Sequence, residues 1–351
     1  MSGGVDSSVA AALMVQQVGG AMGCDWQREW NDVQAVCRHL GHIPVKMIDL
    51  SREYWLQVFE PALELWNEGS TPNPDVECNR SIKFGALRDR IPTGWLATGH
   101  YARIAWRKHA NEEAYPVVQR AFDRLKDQSF FLSSVPSERL TQVRRVADHE
   151  TLFPLGTYQK TEVRQLARAF GLPTAEKDES MGLCFVGERG SSAHAFARFL
   201  DNYVTSEPGD FVTPDGRVVG RHPGLHTLTI GQRSRIPSVP QRYFVAKKDV
   251  AQRRIVVVPD KMHPLLQCVS LHSHSLVWAH NTPRWDVPLQ AQIRYRQDAE
   301  PCRVAPLEGG GVQVTFAHPI TAVSPGQTVV LYEGDLCVGS GTIHDVYTLG
   351  D

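Results

Sequence analysis

The chain has 351 residues, 42% of them hydrophobic and 21% charged, which is typical of a soluble protein with two or three domains and a sizeable core. Its 37 Lys and Arg residues balance 38 Asp and Glu residues, which excludes a global basic field for non-specific nucleic-acid binding. The seven cysteines include no C-x-x-C pair, which argues against a zinc site or a secreted disulfide framework and predicts a reducing compartment. The apolar runs are too short to span a membrane.

The chain opens with a glycine-rich loop that runs into an apolar helix at residues 9–13. Because Gly3 and Gly4 lack a Cβ, the backbone can approach a ligand closely, and the N–H groups of the first helical turn then face an anion. The loop lacks the Lys of a G-x-x-x-x-G-K-[ST] motif. Ser-Gly-Gly-x-Asp-Ser instead resembles the PP-loop of ATP pyrophosphatases, which cleave ATP between the α and β phosphates. The predicted ATP-binding residues of this loop are Ser2, Gly3, Gly4, Val5, Asp6 and Ser7.

Helix and strand patterns alternate after this loop, which is typical of a parallel α/β sheet. Cys37 is predicted to be a core residue of the helix at residues 33–40, and Pro61 interrupts the helix at residues 53–68. Ligands of such sheets bind beyond the carboxyl ends of the strands, where Gly99 and His100 fall. The predicted elements are helices at residues 33–40 and 53–68 and strands at residues 45–50 and 95–100.

The second half of the chain has a different texture. Two further helices are predicted at residues 163–170, ended by Gly171, and at residues 196–203. From about Pro208 onward, short β-rich runs alternate with turns, which is typical of small antiparallel barrels, and Glu-Gly-Asp at residues 333–335 predicts a hairpin turn. The predicted strands contain residues 210–212, 218–219, 228–230, 243–246, 255–258, 292–296, 311–316, 328–332 and 336–338.

A proline-stiffened stretch, Thr-Pro-Asn-Pro-Asp-Val-Glu-Cys-Asn-Arg, occupies residues 71–80. Asp75 and Cys78 are three positions apart, so they can face each other across one helical turn, and a carboxylate beside a thiol can move a proton. Arg80 could favour the thiolate. A rigid surface loop with an incidental cysteine explains this segment equally well when it is taken alone.

A second cysteine, Cys184, lies in a short apolar run between Gly182 and Gly187, which indicates a loop whose backbone something must approach. Taken alone, Cys184 is better interpreted as a buried structural thiol. Taken together with Cys78 and an ATP loop, it makes a dithiol mechanism credible.

These motifs, in this order, resemble those of the tRNA-specific 2-thiouridylases, the MnmA/TrmU family, from Met1 to about Tyr347. The Ser-Gly-Gly-x-Asp-Ser loop marks only the superfamily, whereas the two cysteine motifs are specific to the family. The matching stretches are residues 1–8, 71–80, 83–86, 97–103, 126–129, 152–156, 182–189, 229–233, 293–297 and 324–327.

The resemblance implies an α/β plus β fold with three domains. A PP-loop ATP-binding catalytic domain with a HUP-like parallel sheet would occupy residues 1–191, a small central β domain residues 192–260, and a C-terminal antiparallel β-barrel that contacts tRNA residues 265–349. The implied function is that of a tRNA sulfurtransferase, ATP-dependent 2-thiolation of the wobble uridine at tRNA position 34. The implied partners are the anticodon region of tRNA and a sulfur-donor protein of a cysteine desulfurase pathway.

The resemblance also implies roles for individual residues. ATP, with Mg²⁺, would be held by the loop and by Gly99 and would adenylate O2 of the uridine. A persulfide on Cys184 would deliver its outer sulfur to C2. Cys78, the family's nucleophile position, would resolve it to a Cys78–Cys184 disulfide or release sulfide, with Asp75 as acid or base. The implied tRNA-contact positions are Asn73, Pro74, Asp75, His100, Lys126, Asp127, Gln128, Arg294, Tyr295 and Gln327.

The start of the chain departs from the family pattern. The family's PP-loop follows a strand, whereas here Met1 already lies in the loop and only residues 15–24 separate the first helix from the segment around Asp32. We expect a truncated gene model or a lesioned copy rather than a redesigned fold, with weakened ATP binding. Residues 179–182, Glu-Ser-Met-Gly, resemble organellar members, which predicts a mitochondrial enzyme acting on a uridine with a taurine-derived substituent, and otherwise a cytoplasmic one.

Two other functions stay open at this point. A different PP-loop adenylating ligase that modifies tRNA needs no cysteine pair, and a catalytically impaired RNA-binding relic of the family needs no chemistry at all. No metal site is predicted, because His272, His274 and His280 lie outside the motifs and are typical of a solvated loop.

Overall fold

A computed structural model describes residues 26–91, 96–108, 113–141, 153–178 and 193–351, except residues 206, 238, 281–284 and 286. The predicted phosphate loop at residues 2–7 and Cys184 lie outside the described residues. Within those ranges, no helix combines the length and the apolar character needed to cross a lipid bilayer.

Short helices dominate the first half of the described chain. Two π-helical segments, Trp55–Phe59 and Cys78–Ala86, continue directly from α-helices, and 3₁₀ turns occur at Leu225–Thr227 and Pro264–Leu266. The α-helices are α1 (Trp26–His39), α2 (Ser51–Tyr54), α3 (Glu60–Asn67), α4 (Pro74–Glu77), α5 (Leu87–Asp89), α6 (Ser129–Leu132), α7 (Ser137–Thr141), α8 (Lys160–Ala169) and α9 (Ala193–Leu200).

Helices α1 and α8 confirm two predictions made from apolar spacing, and they share one core cluster. Gly171, with φ +61°, lies in the left-handed conformation expected of a helix C-cap. The ammonium of Lys177 donates to Glu29 at 2.6 Å and to Asp32 at 2.7 Å, which ties the segment after α8 to the first turns of α1. The buried residues of the two helices are Val33, Val36, Cys37, Val163 and Ala167.

The helical segment predicted around Pro61 is confirmed, and its interruption has a specific form. Pro61 has no N–H to donate, so the helix widens into the π-helical segment Trp55–Phe59 just before α3 begins. The rings of Phe59 and Tyr203 meet edge to face, with centroids 5.4 Å apart. This contact belongs to an aromatic cluster between α3 and α9 that contains Phe59, Trp66, Phe196, Phe199 and Tyr203.

Residues 45–50 do not form a strand, so this prediction was wrong. Val45 is 38% and Met47 45% exposed, and none of the described strands pairs with this segment. A β-rich run becomes a strand only where a neighbour accepts its hydrogen bonds. Of the predicted strand at residues 95–100, Trp95 lies outside the described residues, and Ala97 forms an isolated bridge.

Two sheets contain the described strands. The five-stranded sheet has the order β4-β3-β7-β6-β5, and the ten-stranded sheet has the order β1-β2-β14-β13-β10-β11-β12-β8-β15, with β9 beside β14. The strands are β1 (Ala102–Arg107), β2 (Tyr115–Arg120), β3 (Gly209–Val212), β4 (Val218–His222), β5 (Arg233–Ser234), β6 (Tyr243–Asp249), β7 (Arg254–Val258), β8 (Gln267–Ser273), β9 (Leu276–Trp278), β10 (Leu289–Gln292), β11 (Glu300–Pro306), β12 (Val312–Thr321), β13 (Thr328–Glu333), β14 (Leu336–Thr342) and β15 (Val346–Thr348).

Most of the β-rich runs predicted in the second half are confirmed as strands, and so is the hairpin turn around Gly334. One of the predicted strands is absent and another is shorter than predicted. Residues 228–230 follow the 3₁₀ turn at Leu225–Thr227 without forming a strand. Strand β10 ends at Gln292, and Arg296 has φ +66°, a left-handed conformation that a β-ladder does not accommodate.

The hairpin of β1 and β2 was not predicted from the sequence, and it joins the first domain to the C-terminal barrel. Strand β2 pairs with β14 where Gln119 lies opposite Leu336. The guanidinium of Arg107 donates two hydrogen bonds to the carboxylate of Glu333, at 2.7 and 2.8 Å. The first domain and the barrel therefore share one sheet.

Gly156 lies against this hairpin without room for a side chain. A Cβ there would fall 1.8 Å from the carbonyl oxygen of Ala102. Because that oxygen belongs to a strand, we expect Gly156→Ala to lower the free energy of unfolding by about 3 kcal/mol in denaturant titrations. Gly216→Ala is the control, since its Cβ would meet nothing within 4 Å and only its φ of +86° is strained, at about 1 kcal/mol. Equal losses would contradict the prediction.

Candidate active site

The candidate site is built on a proline-rich loop and the helix that follows it. Pro72 and Pro74 are buried, and Pro74 occupies the first turn of α4, where the missing N–H leaves no bond unmade. Helix α4 continues into the π-helical segment Cys78–Ala86. Asp75 and Cys78 therefore lie about one turn apart on one helical path.

The backbone around this turn is held by local contacts. The side-chain amide of Asn79 donates to the carbonyl of Asp75 at 2.9 Å. Cys78 is a half-buried thiol. Arg80, which was predicted to favour its thiolate, lies 3.9 Å from Glu77, and both side chains are more than a third exposed, so this ion pair is weak. The influence of Arg80 on Cys78 stays a prediction.

The carboxyl group of Asp75 lies in an environment that favours its protonated form. Burial raises the pKa of Asp75, and the positive charge of Lys83 opposes this shift to a smaller extent. A carboxyl group with a raised pKa exchanges its proton closer to neutral pH, which suits an acid or base. Lys83 was not predicted as a site residue, although it lies in the matching stretch 83–86.

His100 is 9% exposed and lies between aromatic rings. Its centroid is 6.2 Å from that of Phe84 and 6.0 Å from that of Phe153, and its Nδ1 lies 2.7 Å from the hydroxyl of Thr98. Burial lowers the pKa of His100 well below its usual value, and the charge of Lys83 lowers it further. The imidazole is therefore neutral at pH 7, and its predicted tRNA contact stays a prediction.

Asp127 is 7% exposed and its carboxylate faces the protein interior. It accepts hydrogen bonds from the N–H of Ala121 at 2.8 Å and from the hydroxyl of Ser129 at 2.8 Å. The guanidinium of Arg120 lies 3.7 Å away. Asp127 thus shapes the loop that carries Lys126, and a direct tRNA contact by Asp127 stays a prediction.

Gln128 joins this loop to the segment that carries Gly99 and His100. The N–H of Gln128 donates to the carbonyl of Tyr101 at 2.7 Å, and its side-chain oxygen accepts from the N–H of Tyr101 at 3.0 Å. Gln128 is therefore hydrogen-bonded to Tyr101, which lies two residues after the predicted nucleotide position Gly99. The half-buried Lys126 lies two residues before Gln128 in the chain.

Two predicted tRNA-contact residues of the barrel also contact protein. The ring of Tyr295 packs on that of Phe131 in α6, with centroids 4.6 Å apart. The guanidinium of Arg294 donates to the carbonyl of Ala322, and burial lowers the pKa of Arg294. Arg294 is thus engaged inside the barrel, while Tyr295 lies against the helix that follows Gln128.

Gln327, the third predicted contact residue of the barrel, reaches the candidate active site itself. Its side-chain amide donates to the carbonyl of Thr71 at 2.7 Å and lies 3.3 Å from that of Pro72. These carbonyls directly precede Asn73, so the structure brings barrel and catalytic loop together. Residues 324–327 are one of the stretches that match the family, but the sequence does not predict that Gln327 contacts the loop at Thr71 and Pro72.

The histidines that were interpreted as a solvated loop fall into two places. His272 lies on β8, so that interpretation is wrong for it, and His274 lies in the turn that follows. An Asp345 oxygen is 3.5 Å from Nδ1 of His272 and 3.3 Å from Nε2 of His274. The three side chains offer ligand atoms within 4.8 Å of one another and could together hold a metal ion, so the absence of a metal site stays a prediction. His280 stacks on Tyr115 at 3.8 Å instead.

Three sequence families match successive parts of the chain: a tRNA methyl transferase HUP domain at residues 15–188, a tRNA methyl transferase PRC-barrel domain at residues 197–259 and an aminomethyltransferase β-barrel domain at residues 269–343. Relatives named tRNA-specific 2-thiouridylase MnmA match nearly end to end. The protein of Chromohalobacter salexigens is 39% identical over 99% of this chain and 92% of its own length. Those of Cupriavidus metallidurans and Vibrio cholerae are 40% and 38% identical over 98% of this chain and 97% and 95% of theirs.

The chain belongs to the MnmA family of tRNA-specific 2-thiouridylases.

Membership of the MnmA family confirms the resemblance seen in the motifs and the predicted fold class, a HUP domain followed by a PRC-barrel domain and a C-terminal β-barrel. The five-stranded sheet falls within the PRC-barrel match, and strands β8 to β14 cover the β-barrel match. The parallel sheet predicted for the HUP domain has no counterpart among the described strands, where β3 and β7 form the parallel pair. The boundaries 1–191, 192–260 and 265–349 stay a prediction.

Proposed function

We propose that this chain is a tRNA-uridine 2-sulfurtransferase, which uses ATP to replace the 2-oxygen of the wobble uridine with sulfur. The observation that carries the proposal is 38–40% identity, over nearly the whole chain, to proteins named tRNA-specific 2-thiouridylase. The local geometry supports it, because Asp75 and Cys78 share one helical path directly after a loop that the barrel contacts.

ATP would solve a leaving-group problem. The 2-oxygen of uridine would have to leave as oxide, which is unfavourable, whereas AMP leaves readily. In the proposed first step O2 attacks the α-phosphate, an O–P bond forms and pyrophosphate departs. The predicted phosphate loop at residues 2–7 would bind the phosphates through backbone N–H groups, with Mg²⁺ as their counter-ion, and Gly99 would lie at the nucleotide.

Sulfur would then arrive as a persulfide on Cys184, loaded by a sulfur-donor protein. Its outer sulfur attacks C2, and the C–O bond to AMP breaks as the C–S bond forms. The thiolate of Cys78 attacks the inner sulfur, so that the transferred sulfur stays on uridine and a Cys78–Cys184 disulfide forms. An external thiol supplies the two electrons that reduce this disulfide before the next cycle.

The other predicted residues would bind the RNA and move a proton. Asn73, Pro74 and Asp75 would meet the target base, with Asp75 holding or releasing a proton as the leaving group departs. Lys126 offers a cation for a phosphate, and Tyr295 offers an aromatic face for a base. The remaining predicted contact positions, which are engaged within the protein, would act mainly by shaping these surfaces: His100, Asp127, Gln128, Arg294 and Gln327.

In vitro thiolation tests the proposal. The full chain is incubated with an anticodon stem-loop RNA, ATP, an external thiol and a persulfide donor, namely a cysteine desulfurase with cysteine, and nucleosides are analysed by mass spectrometry. We expect 2-thiouridine at position 34 and stoichiometric pyrophosphate, and no thiolated product from an RNA with cytidine there. Pyrophosphate release with a different RNA product would favour another PP-loop ligase. RNA binding without pyrophosphate release would favour a non-catalytic relic.

We also propose that the enzyme works in mitochondria, on a uridine that carries a taurine-derived 5-substituent. The support is the resemblance of residues 179–182 to organellar members of the family. Nucleoside analysis of organellar and cytosolic tRNA, from cells with and without the gene, tests it. Loss of 2-thiouridine from the organellar fraction is expected, and an unchanged organellar fraction would contradict the proposal.

A further inference from the structure

The C-terminal barrel contacts the loop at residues 69–72, which precedes α4, at several points. Besides the hydrogen bonds from Gln327 to the carbonyls of Thr71 and Pro72, the N–H of Thr71 donates to the carbonyl of Pro325 at 2.9 Å. Gly326 has φ +87°, and a Cβ on it would lie 2.8 Å from the nitrogen of Thr71. The turn at residues 324–327 therefore packs on the loop as closely as backbone permits.

The central domain contacts the same loop through strand β6. The largely buried ammonium of Lys248 on β6 donates to the carbonyl of Gly69 at 2.7 Å. Burial lowers the pKa of Lys248 to about 8, and an amine still offers N–H donors when it is neutral. Gly69 has φ +73°, and a Cβ on it would lie 3.1 Å from Cγ2 of Val250. Residues 69–72 are thus a junction of three domains.

This junction directly precedes the helix that carries Asp75 and Cys78, so it affects where that helix lies. The path from Pro72 through Asn73 to Pro74 is stiff, because proline fixes φ, and Pro74 begins the helix that carries Asp75 and Cys78. Fixing the carbonyls of residues 69–72 therefore fixes where the thiol of Cys78 lies. These bonds go to backbone carbonyls of the protein, so they form without tRNA.

We propose that Gln327 and Lys248 are positioning residues that hold residues 69–72 and thereby hold Cys78 in its half-buried place. The inference rests on the proposed function only in taking Cys78 as the reacting thiol. It assigns the side chain of Gln327 to the protein's own loop, in contrast to the tRNA contact implied by family resemblance.

Alkylation of Cys78 tests the inference without any thiolation assay. The full-length protein, without RNA or ATP, is treated with iodoacetamide, and the peptide containing Cys78 is quantified by mass spectrometry. Loss of one hydrogen-bonded tether frees the loop, so we expect Gln327→Ala, Gln327→Glu and Lys248→Met to speed alkylation about tenfold. Lys248→Arg keeps a donor and should restore most of the protection. Circular dichroism verifies that each variant is folded.

Activity and RNA binding then separate positioning from RNA contact. For Gln327→Ala we expect kcat for thiolation to fall about tenfold while the Kd for tRNA stays within about twofold of wild type. A tenfold weaker tRNA affinity with unchanged alkylation would overturn the inference in favour of an RNA contact, and unchanged or slower alkylation in both Gln327→Ala and Lys248→Met would also overturn it.

Gln313→Ala is the matched control, since Gln313 is a half-buried barrel glutamine on β12 that lies opposite His272. Its alkylation rate, kcat and tRNA affinity should equal those of wild type. If the wild-type chain failed to thiolate RNA, the proposed function would fail, whereas the alkylation rates would still decide whether the two side chains hold the loop.

Discussion

Replacing Cys78 with serine is expected to abolish thiolation while pyrophosphate release from ATP continues. Serine preserves the size of the side chain, but its hydroxyl stays protonated near neutral pH and is a poor nucleophile towards a persulfide. We expect the thiolation rate to fall on the order of 10³-fold or more, as when an enzyme nucleophile is removed. Nucleoside mass spectrometry measures 2-thiouridine, and a pyrophosphate assay measures adenylation in the same reaction.

Cys302→Ser is the matched control for this experiment. Cys302 lies on β11 of the barrel, and burial raises the pKa of its thiol to about 12, so it is not a thiolate at neutral pH. The control should thiolate RNA at the wild-type rate. A Cys78→Ser variant that formed 2-thiouridine at the wild-type rate would contradict the proposed role of Cys78 in sulfur transfer.

Replacing Asp75 with asparagine is expected to lower activity and raise stability together. Asparagine cannot exchange a proton, so we expect thiolation to slow by about 10²- to 10³-fold. Because burial raises the pKa of Asp75, the folded state binds its proton more tightly than the unfolded state does. The ionised carboxylate therefore costs stability above that pKa, and the cost disappears as pH falls below the unfolded value, about 3.9.

Thermal unfolding at several pH values measures this second effect. The Tm of Asp75→Asn should exceed that of wild type at pH 8, and the difference should shrink as the pH falls, since protonated aspartate resembles asparagine. Asp298→Asn, at an exposed position of the barrel, should show neither the gain in Tm nor the loss of activity. A Tm difference that grows as pH falls would contradict the direction of the pKa shift.

The local parts of the fold could be predicted from the sequence, and the parts that depend on distant partners could not. Helices α1 and α8 follow from apolar spacing, because a helix satisfies its own hydrogen bonds. Residues 45–50 have a strand-like composition but lack a partner among the described strands. The hairpin of β1 and β2 was missed because its pairing with β14 joins residues far apart in the chain.

The same division applies to the candidate site. The three-residue spacing of Asp75 and Cys78 predicts their shared helical path correctly, since that geometry is local. Lys83 was missed because its role depends on folding. The charge of Lys83 affects the pKa values of both Asp75 and His100, and only the folded chain brings these two residues near it. The sequence likewise does not show that the carboxylate of Asp127 points inward, since the donors that hold it belong to the folded loop.

The shared sheet of hairpin and barrel limits how this protein can be dissected. Val118 on β2 belongs to the same buried cluster as Val330 and Tyr332 of the barrel. A fragment that ended before the barrel would expose that apolar stripe beside an unpaired strand edge, an arrangement that promotes aggregation. The barrel and the first domain are therefore expected to fold together, and the barrel cannot be removed as an independent RNA-binding domain. Natural substitutions in one of the two are constrained by the packing of the other.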